Sequence, residues 1–249
     1  MIAFFKTIIY TPLYNILVLI LNISWIDAGI AAVILTVLVK FILYPVAKKS
    51  TITQAKMKEK EGELALIKEK YKDKQEQAVK TMEFYKINNI NPFSSILTVL
   101  IQIPIIFSLY YIFFKSGLPV IDASLLYSFV KAPASVSMNF LGFIDISQKS
   151  VVLAFLAAIT TFWQMHLASP AVASAKAGKP NQDFSAIMAK QMKYTMPIIV
   201  FFISWKISAI VALYWFVSNL VGIAQDVYVR KQLSTSPPTP LLAKERGEK

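Results

Sequence analysis

Residues 29–47 read GIAAVILTVLVKFILYPVA, from Gly29 to Ala47, and this run decides the fold. A helix needs roughly 20 predominantly apolar residues to cross the ~30 Å hydrocarbon core of a bilayer. The run has that length and a single charge, Lys40. Working outward from it, further apolar runs lie at Phe93–Phe114 and Ser150–Ala168. The stretch Met188–Val229 is too long for one crossing, since its apolar part Tyr194–Ala224 would extend about 45 Å as a single helix. Trp205-Lys206-Ile207-Ser208 interrupts it, which gives two spans, Met188–Trp205 and Ile207–Val227, joined by a tight hairpin. The fold expected is an all-α integral membrane protein, a five-span helical bundle.

Composition agrees and removes most other classes. Of 249 residues, 56% are hydrophobic and only 16% charged, against about 25% charged in a soluble domain. With no cysteine there is neither a disulfide nor a thiolate metal site, and His166 is the only histidine, so two-histidine metal motifs are excluded. Seven scattered glycines form no phosphate-cradling loop. A conventional enzyme is therefore not expected, and no cofactor or metal is implied. The net charge of +12 points to an anionic partner, whether lipid headgroups, RNA or an acidic polypeptide.

The segments between the spans set the organisation. Residues 1–28 are expected to form an external interfacial helix and lead-in, split at Pro12, in preference to a sixth span. Residues 29–47 are the first span and 48–91 a cytoplasmic helical hairpin, with apolar residues Leu64, Ile67, Tyr71, Val79, Met82 and Tyr85 at helical spacing and a turn at Tyr71-Lys72-Asp73-Lys74. The second span covers 92–115, an external loop along the membrane surface 116–149, the third span 150–168 and a cytoplasmic loop 169–187. The fourth and fifth spans occupy 188–229, and a disordered basic tail covers 230–249. Eleven lysines lie between Lys48 and Lys86, so the positive-inside rule puts the hairpin and the C-terminus in the cytoplasm. The absence of an Arg/Ser-rich transit peptide favours a bacterial cell (inner) membrane.

Lys40 is the most informative residue. It lies roughly 12–15 Å from either end of its span, too deep for an easy reach to the headgroups, and a lysine at mid-helix costs about 2.5–3.5 kcal/mol on insertion scales. No Asp or Glu falls within the depth of any expected span to neutralise it, Asp226 sitting at the inner end of the last. The cation must then face water or a partner carrying negative charge. Other polar residues at membrane depth could wet the same side of the bundle: Thr36 one turn from Lys40, Gln102 in the second span, Thr160 and Gln164 on one face of the third, and Trp215 and Asn219 on one face of the fifth. Each alone could instead serve an interhelical hydrogen bond. Asp226 and Arg230 are spaced as a solvated i,i+4 pair, and His166 as an interfacial residue.

Four stretches in order carry a resemblance to a known family. Thr11-Pro12-Leu13-Tyr14-Asn15 looks like its external surface helix, and Leu35 to Pro45 its first core span, with Lys40 where arginine is usual. Tyr71-Lys72-Asp73 to Phe84-Tyr85-Lys86, then Asn91-Pro92 and Leu100-Ile101-Gln102-Ile103-Pro104, is similar to the hairpin and second-span entry. Ala212-Leu213-Tyr214-Trp215-Phe216-Val217-Ser218-Asn219-Leu220 resembles the last span. Over residues 7–230 the chain thus resembles the YidC/Oxa/Alb family of membrane-protein insertases.

The resemblance implies a hydrophilic groove open to the cytoplasm and lipid, with Lys40, Gln164 and Trp215 as groove residues. It also implies nascent membrane proteins and the ribosome as partners, with the Sec translocon, the signal recognition pathway and anionic lipids as further candidates. Replacing arginine by Lys40 keeps the charge and loses the planar fork that binds carboxylates bidentately. A small anion or solute transporter using Lys40 as an intramembrane anion site is the competing expectation.

Overall fold

The computed structural model describes residues 5–91, 94–115, 118–168 and 184–235. A π-helical turn, Lys6–Tyr10, runs into α1, Thr11–Leu21. Pro12 does not split this segment as the sequence suggested. It sits in the first turn of α1, where a missing N–H is tolerated, and the wider preceding turn lets the Thr11 N–H reach the Lys6 carbonyl.

Helix α2, Ala28–Ile42, starts at Asp27, whose carboxylate accepts the Ile30 N–H at 2.8 Å, the usual N-cap arrangement. The run 29–47, expected as one span, is divided between two helices. The helix stops after Ile42, and α3, Tyr44–Glu59, departs at 61°. Pro45 explains the break: it has no N–H for the Phe41 carbonyl, and its ring crowds that same carbonyl.

Helices α4, Glu61–Lys70, and α5, Lys74–Ile87, form the hairpin. Its turn falls at Tyr71–Asp73, as the sequence indicated, and Asp73 caps α5 by accepting the Gln75 and Glu76 N–H groups at 3.0 and 2.9 Å. The apolar stripe shifts, however. Val79 and Met82 are exposed, and the residues buried are Phe84 and Ile90. The hairpin packs on itself and continues from α3 without extensive packing against the remaining helices.

Helix α6, Ser94–Tyr110, ends in a π-helical turn, Tyr111–Lys115. After a connection holding a 3-10 turn, Ala123–Leu125, and two antiparallel two-residue strands, β1 Asn139–Phe140 and β2 Ile144–Asp145, comes α7, Val151–Ala168. Helices α8, Phe184–Ile207, and α9, Ala209–Thr235, meet at Ser208, where the tight hairpin was expected. The cytoplasmic loop expected at 169–187 and the tail expected at 230–249 fall largely outside the described residues.

Helix α9 is central, packed along α7 and against α2 and α3, while α8 lies along α7. Small residues make this possible: Ala28, Ala31 and Ala32 of α2, Ala154 and Ala157 of α7, and Ala209 and Ala212 of α9 are all buried, letting backbones approach closely. Among the described residues α9 alone is long and apolar enough to cross a membrane by itself. Helices α2 and α3 pass only as a bent pair, and Lys6–Leu21, Leu100–Phe113 and Val151–Leu167 are apolar but shorter.

The connection between α6 and α7 closes one end of the bundle. Asn15 donates to the Leu125 carbonyl at 2.9 Å and accepts the Tyr127 N–H at 2.7 Å, and the Tyr14 hydroxyl accepts the Asp122 N–H at 2.8 Å. The second Asp27 oxygen accepts the Leu141 N–H at 2.9 Å. The first amides of α9, otherwise orphaned, donate to this connection: Ala209 N–H to Gln148 O at 2.7 Å and Ile210 N–H to Ile146 O at 3.1 Å. Within it, hydrogen bonds from Ser124 and Ser147 hold the Asp122 and Asp145 carboxyls below the usual carboxylate range. One connection therefore holds the start of α2, the start of α9 and α1 at Tyr14 and Asn15.

Candidate functional site

At the opposite, hairpin-bearing end, the bend after α2 opens a cavity in which polar side chains interrupt a mostly apolar wall. Its walls come from α2 and α3 (Lys40, Lys48, Ser50, Thr51, Gln54), α6 (Gln102), α7 (Gln164) and α9 (Gly222, Gln225, Asp226), with Leu43, Val46 and Ile101 among its apolar lining. It has room for water over about 110 Å³. The break at Pro45 ends the helical ladder just after Lys40 and orphans its carbonyl; Gln225 caps that carbonyl with its side-chain amide at 3.0 Å.

Charge in the cavity is unevenly satisfied. Among the described residues no carboxylate pairs with Lys40. The Gln102 Nε2 is buried without an acceptor. Asp226, by contrast, is fully engaged: one oxygen accepts from the Thr51 hydroxyl and the other from Arg230 Nε at 3.3 Å. Arg230 also donates from Nη2 to the Leu167 carbonyl at 3.0 Å, near the end of α7, and to Gln54 at 3.4 Å. The pair expected to be solvated is thus a half-buried network that ties α9 to α3 and α7. The site presents free donors on one side and a satisfied carboxylate on the other.

The sequence-derived residues divide into two groups. Lys40, Gln102 and Gln164 converge on the cavity. Thr160 and Asn219 meet elsewhere, in a buried interhelical lock. Asn219 Nδ2 donates to Thr161 Oγ1 at 2.7 Å, to Thr160 Oγ1 at 3.2 Å and to the Ala157 carbonyl at 3.4 Å. Thr36 is buried, with its hydroxyl donating to the Ala32 carbonyl at 2.7 Å, and Trp215 packs half-buried against the apolar core. Neither lines the cavity. His166 is exposed near the end of α7.

Lys48, Ser50, Thr51, Gln54, Gly222 and Gln225 were missed. Helical spacing held a signal for them. Gly222 and Asp226 follow Asn219 at three and seven residues, and Gln54 follows Ser50 at four, so each set shares a face.

These features define a class, a helical membrane protein built round a recess into which two lysines, Lys40 and Lys48, and several amides and hydroxyls project. The chain belongs to the 60Kd inner membrane protein family, whose model matches residues 19–236. It is 32% identical over 212 residues to the membrane protein insertase YidC of Clostridium perfringens, covering 84% of this chain and 82% of that protein. It is 30% identical over 205 residues to that of Fusobacterium nucleatum, covering 82% and 86%. With the YidC of Francisella tularensis subsp. novicida it shares 33% identity over 229 residues, which span 91% of this chain and 36% of that longer protein. The family read from the four sequence stretches is the family found.

Proposed function

We propose that the chain is a membrane-protein insertase that receives hydrophilic segments of nascent membrane proteins in the Lys40 cavity and releases them into lipid. The observation that carries this reading is the pairing of an unneutralised ammonium, Lys40, with an unpartnered buried donor, Gln102, in one cavity. Such a recess offers hydrogen-bond donors to carboxylates and backbone carbonyls part-way across the membrane, where bare lipid would penalise each unsatisfied group by several kcal/mol. Catalysis here is transfer between phases, with no covalent step.

In this reading α2, α6, α7, α8 and α9 are the five spans, and α1 lies on the outer surface. The connection between α6 and α7 closes the outer end. The bend at Leu43 turns the chain out of the membrane into the cytoplasmic hairpin, and the C-terminus lies on the same side. Lys40, Gln102 and Gln164 contact the entering segment, while Thr36, Thr160, Trp215 and Asn219 support the helices that carry them. The basic hairpin and Arg230-Lys231 face the ribosome and anionic headgroups, and the Sec translocon and signal recognition pathway would deliver clients there.

The test is a series at Lys40 in proteoliposomes, with a single-span client whose translocated segment is acidic. Lys40→Arg keeps insertion. Lys40→Ala lowers it about tenfold, the worth of one charge-assisted hydrogen bond, and Lys40→Glu lowers it further. Normal insertion by Lys40→Glu would refute the reading, and Lys40-dependent uptake of a labelled small anion would favour a transporter.

A further inference from the structure

The lock between α7 and α9 marks a register, held by the packing along both helices, that continues into the cavity. Both helices run from the closed end toward the hairpin end, and Asn219 faces Thr161. Three residues on in each helix, Gly222 faces Gln164. At this rung one partner has no side chain. A Cβ built on Gly222 would lie 2.4 Å from Gln164 Nε2 and 3.5 Å from Gln164 Cδ, with Lys40 Nζ 3.9 Å away. Ordinary contact needs about 3.5 Å or more, so the carboxamide occupies the space that any other residue at 222 would fill.

We propose that Gly222 is a positioning residue for the insertion site: its missing side chain is the notch that seats the Gln164 carboxamide across α9 beside the Lys40 ammonium. This rests on the insertase reading and deepens it by naming what places the third polar group. A glycine inside a helix is unfavourable relative to alanine, and Gly222 has a negative φ, since among the described residues the only glycine with a positive value is Gly142. Backbone freedom is therefore not what the position uses. Space is. The atom in the way is the end of a flexible side chain, so Gly222→Ala leaves the helix intact and turns the carboxamide away from Lys40.

The experiment compares two versions of one single-span client in proteoliposomes, whose translocated segment carries acidic residues or their amides. In Gly222→Ala the acidic-to-amide insertion ratio falls about fivefold, the worth of one hydrogen bond, with no drop in melting temperature. Gln164→Ala gives the same fall, and adding Gly222→Ala to it changes the ratio no further. Equal losses for both clients, a further fall in the double variant, or an unchanged ratio in Gly222→Ala would each overturn the assignment. Lys40→Ala run alongside separates the two claims. If it too leaves the ratio unchanged, the insertase cavity itself has failed. If it lowers the ratio while Gly222→Ala does not, only the notch has failed.

Discussion

Replacing Asn219 by alanine removes a side-chain amide that joins the two most closely packed helices, α7 and α9. The geometry bounds the cost. The short bond is to Thr161 Oγ1 at 2.7 Å; those to Thr160 and the Ala157 carbonyl, at 3.2 and 3.4 Å, are weaker. Both threonine hydroxyls keep acceptors for their own protons after the change, at the Leu156 and Ala157 carbonyls. No buried donor is therefore stranded, and the loss stays near that of one good interhelical hydrogen bond in lipid, about 0.6 kcal/mol on average and about 1.7 at most. A coupling energy of about 1 kcal/mol between Asn219→Ala and Thr161→Val is expected within that range. A double-mutant cycle on reversible unfolding in mixed micelles measures it. A coupling below about 0.3 kcal/mol, the limit at which independent sites add, would refute the lock. The same variants should leave the acidic-to-amide insertion ratio at its wild-type value, because the lock lies outside the cavity. A changed ratio at unchanged stability would put Asn219 among the groups that meet the client.

Three further outcomes follow from the same geometry. Asp226→Asn should loosen α3 from α9 at a cost of about 1.5–3 kcal/mol, the range for hydrogen bonds to a charged group, read as faster amide exchange at Ser50–Gln54; unchanged exchange would contradict it. Gly29→Ala places a Cβ 2.4 to 2.7 Å from Phe140, whose strand is pinned through Leu141 to Asp27, so it should destabilise by about 1–3 kcal/mol as overpacking does; an unaltered melting temperature would show that the closing connection yields. Amides of α4 and α5 should exchange far faster than those of α9, since little packing holds the hairpin to the bundle; equal protection would mean that it is docked.

How much of this could be read in advance depended on which physics a residue answers to. Apolar run length answers to the bilayer and needs no partner, so the helices at Ala28, Val151 and Ala209 and the hairpin at Ser208 were legible. So was the turn at Asp73, where a short carboxylate caps the helix that follows. The bend at Leu43 was less so. Pro45 was visible, but hydropathy counts the residues on both sides of it as one run. Polar residues were harder still. Thr160, Gln164 and Asn219 look alike in sequence, each a hydrogen-bonding group at membrane depth. Only the register between α7 and α9 decides that Asn219 meets Thr161 while Gln164 meets a glycine. Asp226 stands in the sequence at the inner end of the last span, where its spacing to Arg230 shows only a solvated pair and gives no sign of the cavity. The bend of α3 brings the same cavity down to it.

That placement raises the question of why Lys40 stays unneutralised with a carboxylate lining the same cavity. The answer lies in prior commitments. Both Asp226 oxygens are taken, one by the Thr51 hydroxyl and one by Arg230. Arg230 is itself anchored on the Leu167 carbonyl, a group orphaned by the end of α7. Swinging Asp226 toward Lys40 would abandon two bonded groups, Thr51 and Arg230, to make one ion pair, and a charge left without its partner in a half-buried site costs more than the pair returns. The Lys40 backbone is meanwhile held by Gln225, so the side chain cannot escape by unwinding the end of α2. Among the described residues, the carboxylate that lines the cavity is thus spent on holding the helices together, and Lys40 is left without one. An ammonium kept unpaired in this way answers to whatever acceptor enters the cavity, which is the property an insertion site needs.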